Sequence, residues 1–270
     1  MANLLEKYDK NMVACSFSDE TYHYYDIKKA PFKIEGLAWF SKEKEYFRLP
    51  KDCQQDVSEA VYWLASHPAG GQLHFQSNSK TIVIKVQLAA SANMTHMTGV
   101  GQAGFDLYYK KRNEKNYHFF TSTNYPYGQV EYSIVLYRND KKEWKDFLIH
   151  FPLYMGVKNV WLGLEKDALL KPARKRKKQG KVVVYGTSIT QGGCATRPGM
   201  AYTNILSRQL DIEFINLGFS GSGLGEPIMA KLMTEINNVS LFILDYDANG
   251  GCTGDLEKNM KTIKKICYSN

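Results

Sequence analysis

Lys181-Val182-Val183-Val184-Tyr185-Gly186-Thr187-Ser188-Ile189-Thr190 is the stretch that decides the fold. Its valines favour an extended chain, the run is too apolar for a strand with one wet face, and it breaks at a glycine into a short polar turn. The order of strand, loop and helix then recurs. Strands are read at 181–185, 212–217 and 240–245, each too apolar to be half exposed, and helix-spaced stretches at 200–210, 226–237 and 255–268. Ile228, Leu232 and Ile236 share one helix face, as do Met260, Ile263 and Cys267, while Pro227 falls in a first turn, where its missing N–H is harmless. Alternating strand and helix predicts a parallel sheet covered on both faces, with right-handed crossovers. The expected fold of 182–270 is therefore a flavodoxin-like, three-layer α/β domain with its first strand in the middle.

Upstream the texture is different. In Thr81-Ile82-Val83-Ile84-Lys85-Val86-Gln87-Leu88 the residues Ile82, Ile84, Val86 and Leu88 share one face and Thr81, Lys85 and Gln87 the other, as in a half-buried strand. Similar short runs occur at 71–76, 105–109, 117–121, 130–137, 146–151 and 158–164, separated by turn-like clusters such as Ser77-Asn78-Ser79. Seven or so short strands without a long helix predict an antiparallel, jelly-roll-like β-sandwich over 1–170. The aromatic residues Tyr108, Tyr109, Tyr117, Phe119, Phe120, Tyr125 and Tyr127 are read first as sandwich core, and second as a sugar-stacking face.

The two textures meet at 171–181, a basic linker read as solvated. It holds seven of the 35 basic residues and no acid, so setting it aside reduces the net charge from +8 to +1. One linker thus explains the positive charge, and no nucleic-acid partner is expected. The 270 residues are 44% hydrophobic and 23% charged, which fits globular domains and excludes disordered or fibrous classes. No apolar stretch approaches the ~20 residues of a membrane span, and the first residues lack signal-peptide order, so the reading is cytoplasmic, without a membrane partner. The cysteines Cys15, Cys53, Cys194, Cys252 and Cys267 are odd in number and widely spaced, which suits free thiols. Asp245, Asp247 and Asp255 offer a candidate metal ligand set, but strand-end carboxylates usually cap helices and no histidine accompanies these, so neither metal nor cofactor is expected.

In a parallel sheet the turns after the strands lie along one edge, where ligands bind. Here these turns are 186–190, 216–221 and 245–249, which would place Ser188 between Gly221 and Asn249. A serine at a strand-to-helix turn can aim its hydroxyl at a carbonyl while its own N–H holds the developing oxyanion. A glycine N–H approaches unhindered, and an asparagine amide is a third donor. Each donor is worth ~2.7–4 kcal/mol of barrier in a water-poor site. The pattern Gly-x-Gly-x-x-Gly fails at Glu226, and a phosphate loop fails at Gln191-Gly192.

These residues resemble the SGNH hydrolase family, also called GDSL esterases. Gly186-Thr187-Ser188-Ile189 is similar to the first block, with threonine for the usual aspartate. The stretch from Asn216 to Gly221 is similar to the second, and Asp247-Ala248-Asn249 is a variant of the third, usually Gly-x-Asn-Asp. Gly104-Phe105-Asp106-Leu107-Tyr108 resembles the Gly-x-Asp-Leu-Tyr signature of a β-sandwich that precedes the hydrolase domain in a bacterial subset. The resemblance implies an esterase acting on small acyl esters, chiefly acetyl groups on carbohydrate, through an acyl-Ser188 intermediate. Ser188 N–H, Gly221 N–H and the Asn249 side chain would hold the oxyanion. It leaves a homo-oligomer open.

A serine also needs a base, normally a histidine oriented by a carboxylate. The family takes both from an Asp-x-x-His block near the C-terminus, and here no histidine follows His150. The expectation is a C-terminally truncated hydrolase domain with an exposed apolar sheet edge, truncation costing it activity. Two alternatives stand beside this one. A sandwich histidine such as His67 reaches Ser188, or the chain is a non-catalytic carbohydrate-binding or interaction protein.

Overall fold

The computed structural model describes residues 19–250 and 256–268. The first part of the chain forms two facing antiparallel sheets. Their strands are β1 (Tyr22–Asp26), β2 (Lys33–Glu35), β3 (Gln72–Ser77), β4 (Thr81–Leu88), β5 (Asp106–Lys111), β6 (His118–Ser122), β7 (Glu131–Arg138), β8 (Lys145–His150), β9 (Val157–Glu165) and β10 (Leu170–Lys171). One sheet runs β1-β9-β4-β7 and the other β10-β3-β8-β5-β6, with β2 beside β3. Ile82, Ile84, Val86 and Leu88 of β4 point inward, as their alternation predicts, and share a core with Leu73, Phe75, Phe147 and Ile149 of the opposite sheet. Tyr125 lies in the sandwich core and Tyr109 packs against it, as the core reading expects; Tyr108 is buried outside that core, and Phe119, Phe120 and Tyr127 are exposed.

Short helices α1 (Phe40–Glu43), α2 (Glu59–Ala65) and α3 (Gly99–Ala103) interrupt this half. Ser58 caps α2, its Oγ accepting from Val61 N at 3.3 Å. Although the segment from Trp39 to Ala65 sits early in the sequence, it packs on the later domain. Trp39, Phe47, Leu49, Val61 and Leu64 share one core with Val183, Tyr185, Ile215 and Leu217.

That later domain holds strands β11 (Lys181–Gly186), β12 (Glu213–Gly218) and β13 (Val239–Asp245), and helices α4 (Ser188–Gln191), α5 (Tyr202–Leu210), α6 (Pro227–Thr234), α7 (Asp247–Gly250) and α8 (Leu256–Tyr268). The sheet is parallel with β11 central, in the order β12-β11-β13. Strand periodicity sends Val183 and Tyr185 to one face, against Met229, Leu232 and Met233 of α6 and Ile263 of α8. Val182 and Val184 face the other way, toward Tyr202 and Leu206 of α5. The three layers expected from the sequence are present.

β13 forms the exposed apolar sheet edge expected above, and departs only from the reading of its run as too apolar to be half exposed. Leu241 is 51% exposed and Phe242, Ile243 and Leu244 are half-buried. The strand is as apolar as β11 but lies at the sheet edge, where only one side is paired by a described strand. The solvated reading of the basic linker also needs correction at one residue. Arg176 is largely buried, donating to Glu35 Oε2 (2.6 Å), Gln72 Oε1 (2.8 Å) and Ser207 O (3.3 Å), and so ties the two parts together. Lys171, Lys175, Lys177 and Lys178 are exposed, and Lys181 is half-buried at the start of β11.

Gly104-Phe105-Asp106-Leu107-Tyr108 makes a second tie. The fully buried Asp106 Oδ2 accepts from Gly199 N (2.8 Å) and Arg197 Nη1 (3.2 Å), and Arg197 also donates to the Tyr108 hydroxyl (2.7 Å). Arg208 stacks on the Tyr108 ring at 4.1 Å and donates to Gly199 O at 2.8 Å. Cys53 and Cys194 are free thiols; Cys15 and Cys252 lie outside the described residues, as does the side chain of Cys267. No described helix is long and apolar enough to cross a membrane.

Candidate active site

The turn after β11 carries Ser188 as the first residue of α4. Thr187 caps that helix, its Oγ1 accepting from Ile189 N at 3.3 Å. Ser188 is half-buried. Its carbonyl accepts from Gly192 N (3.0 Å) and Gly193 N (2.7 Å), closing the helix after a single turn.

Hydrogen bonds from the other two strand ends fix this turn. Asn216 of β12 donates through Nδ2 to Thr190 O (2.7 Å) and accepts at Oδ1 from Gly218 N (2.9 Å). Phe219 N donates to Gly186 O at 2.9 Å, and Ser220 N to Gln191 Oε1 at 3.0 Å. On the other side Thr190 Oγ1 and the Tyr202 hydroxyl both donate to Asp245 Oδ2, at 2.8 and 3.0 Å. Asp245, weighed above as a metal ligand, thus serves as an acceptor that ties α4 to β13, and Asp255 lies outside the described residues.

The predicted site residues therefore share one sheet edge. Gly221 is exposed, with φ +66°, and a Cβ there would have no heavy atom within 4 Å, so its backbone is open to solvent. Asn249 lies in α7, directly beyond β13, and its Nδ2 is buried with no hydrogen-bond partner. A buried amide donor left unpaired is costly unless something is meant to accept from it. The start of α4 at Ser188, the exposed Gly221 loop and the unpaired Asn249 amide thus lie along the same sheet edge.

No described histidine hydrogen-bonds to Ser188. His150 is buried against Arg208 Nη1 (2.8 Å), His74 lies within the Gln72 and Arg176 network, and His118 pairs with Glu114. The alternative in which His67 reaches Ser188 is not realised as a hydrogen bond. His67 Nδ1 is buried without a partner, the ring packs edge-on against Trp63 at 4.6 Å, and burial together with Arg48 lowers its pKa to about 3. Desolvation disfavours the imidazolium here, so this ring is a weak base.

The most informative residue absent from the sequence reading is Arg48. It is fully buried, without a carboxylate among its hydrogen-bond acceptors, and donates to Leu64 O (2.8 Å), His67 O (2.7 Å), Asn216 O (3.3 Å) and Gly218 O (2.5 Å), while lying 4.5 Å over the Phe219 ring. It thereby pins the Gly221 loop to the end of α2. The visible signal is an arginine inside the otherwise apolar run Tyr46-Phe47-Arg48-Leu49.

Residues 22–170 match the model of the N-terminal Gly-x-Asp-Leu-Tyr region of SGNH-hydrolase-type esterases, and residues 178–269 match the GDSL-like lipase/acylhydrolase family. The chain belongs to the SGNH-type, GDSL-like hydrolase family. A solved structure of a Bacteroides ovatus protein assigned to the GDSL-like lipases is 31% identical, covers 91% of this chain and 71% of its own, and superposes with a TM-score of 0.81. The salicylyl-acyltransferase SsfX3 of a tetracycline biosynthetic pathway shares the fold at 14% identity, with 93% and 70% of the two chains covered and a TM-score of 0.75. No curated protein matches the chain. In this SGNH-type chain the Gly-x-Asp-Leu-Tyr residues hold the sandwich against the hydrolase domain through Arg197 and Gly199.

Proposed function

We propose that this SGNH-type protein is an esterase that removes small acyl groups, foremost acetyl, from carbohydrate through an acyl-Ser188 intermediate. Ser188 Oγ adds to the ester carbonyl and loses its proton to a base. The carbonyl oxygen becomes an oxyanion held by the N–H groups of Ser188 and Gly221 and by Asn249 Nδ2. Collapse expels the sugar alkoxide, which takes up a proton, and water then releases the acid by the same two steps. The observation that carries this reading is the buried, unpaired Asn249 Nδ2 on the same sheet edge as Ser188 and Gly221.

A second reading, a carbohydrate-binding protein that keeps the fold without turnover, is favoured by the placement of the described histidines. The base has to come from elsewhere than His67, His74 or His150 as they stand. Turnover of a small aryl acetate by the full chain and by Ser188→Ala separates the two. The esterase reading expects a loss of at least about a hundredfold on removing the nucleophile; equal rates in both proteins dismiss it.

A further inference from the structure

A cavity of about 410 Å³ opens between the two halves of the molecule, beside the loop that carries Gly221. Trp63 and His67 line it from α2 and the residues after it, Ser91 and Asn93 from the loop after β4, and Tyr154 and Ser220 on the side of the Ser188 turn. The Tyr154 hydroxyl donates to the main-chain carbonyl of Ser188 at 3.4 Å, so a residue of the cavity wall is bonded to the turn that carries the candidate nucleophile.

Two features of its lining call for a ligand. Trp63 is 62% exposed although its neighbours Val61 and Leu64 are buried, so α2 leaves its largest apolar side chain at the cavity rim. His67 is only 4% exposed, yet its Nδ1 has no hydrogen-bond partner. A flat apolar platform beside an unsatisfied polar nitrogen suits a ring that offers C–H groups on its face and hydroxyls at its edge. The volume lies at the small end of ligand pockets, enough for one such ring and a short acyl group.

We propose that this cavity is the subsite for the alcohol portion of the ester, a pyranose ring stacked on Trp63 with one hydroxyl bonded to His67 Nδ1. The ester carbonyl then points past Ser220 toward Ser188, and this direction rests on the esterase reading above. The stacking itself does not. The 89–94 loop supplies polar edges for further hydroxyls.

The test is saturation-transfer NMR on the full chain carrying Ser188→Ala, with methyl 6-O-acetyl-β-D-glucopyranoside and its unacetylated parent as probes. Saturable transfer to the ring protons of both is expected. Affinity should fall at least about tenfold in Trp63→Ala, the scale of a buried aromatic anchor, and recover in Trp63→Phe. His67→Phe should weaken binding and His67→Gln, which keeps a polar atom, should weaken it less. Circular dichroism on each variant shows whether the fold is retained. Binding unchanged by Trp63→Ala in a folded protein overturns the proposal, as does an aryl acetate that binds at Trp63 while the glycosides do not. Intact Trp63-dependent binding without Ser188-dependent turnover would dismiss the esterase reading and leave the subsite. Turnover without Trp63-dependent binding would dismiss the subsite alone.

Discussion

Replacing Arg48 by methionine tests how the Gly221 loop is held. Burial lowers the guanidinium from 12.5 to about 9, so the site opposes its charge. Hydrogen bonds to four main-chain carbonyls offset part of that cost. The charge in place therefore adds little net stability. The balance shifts on removal, because the carbonyls of Leu64, His67, Asn216 and Gly218 would then face an apolar side chain. At ~1 kcal/mol for each orphaned acceptor the Arg48→Met protein should lose about 4 kcal/mol. Arg48→Lys should recover less than half of that, because one ammonium cannot serve four carbonyls that a planar fork reaches. Urea unfolding midpoints measure the loss, and hydrogen exchange of the 216–223 amides shows where it falls. An unchanged midpoint for Arg48→Met, or full recovery by lysine, would refute this account.

Two further outcomes concern the domain contact and the loop itself. Asp106 is raised from 3.8 to about 6, burial outweighing the Gly199 N–H and the Arg197 and Arg208 charges. The folded protein therefore holds this proton more tightly than the unfolded chain, and the associated stability is present below pH ~4 and lost as pH rises through ~6. The stability difference between wild type and Asp106→Asn, followed by denaturant titration from pH 4 to 7, should fall across that window; a flat difference removes the assignment. Gly221→Ala meets open space and should cost only the ~1–2 kcal/mol of left-handed backbone, whereas a Cβ at Gly223 would lie 2.1 Å from Gly186 O and should cost more. Thermal midpoints in the reverse order would contradict the loop geometry.

The hydrolase layer was the most legible part of the sequence. Strands β11 and β12 and helices α5 and α6 are read from continuous apolar runs and 3.6-residue spacing, and their ends fall within about three residues of the expectation, as such patterns allow. β1, β2 and β10 escaped because Tyr22-His23-Tyr24-Tyr25-Asp26 lacks aliphatic alternation and the other two span three and two residues. The exposure of β13 could not be read from its composition, because what separates it from β11 is a place at the sheet edge. Arg176 was hidden in a run of like charges, although its partner Glu35 lies 141 residues away. That Ser188, Gly221 and Asn249 share one sheet edge was legible because each follows a strand end. Arg48, Gln191 and Asn216 were not, since their bonds run between distant segments and leave no local pattern.

The seating of Trp39, Phe47, Leu49 and Leu64 in the core of the α/β layer bears on how such a protein can change over generations. A recombination break near residue 180 would hand the hydrolase layer to a new neighbour while leaving behind one wall of its interior and the arginine that ties down its loop. Val183 and Ile215 share their core both with α6 and with residues more than a hundred positions upstream, so a change of volume at either is felt in both halves at once.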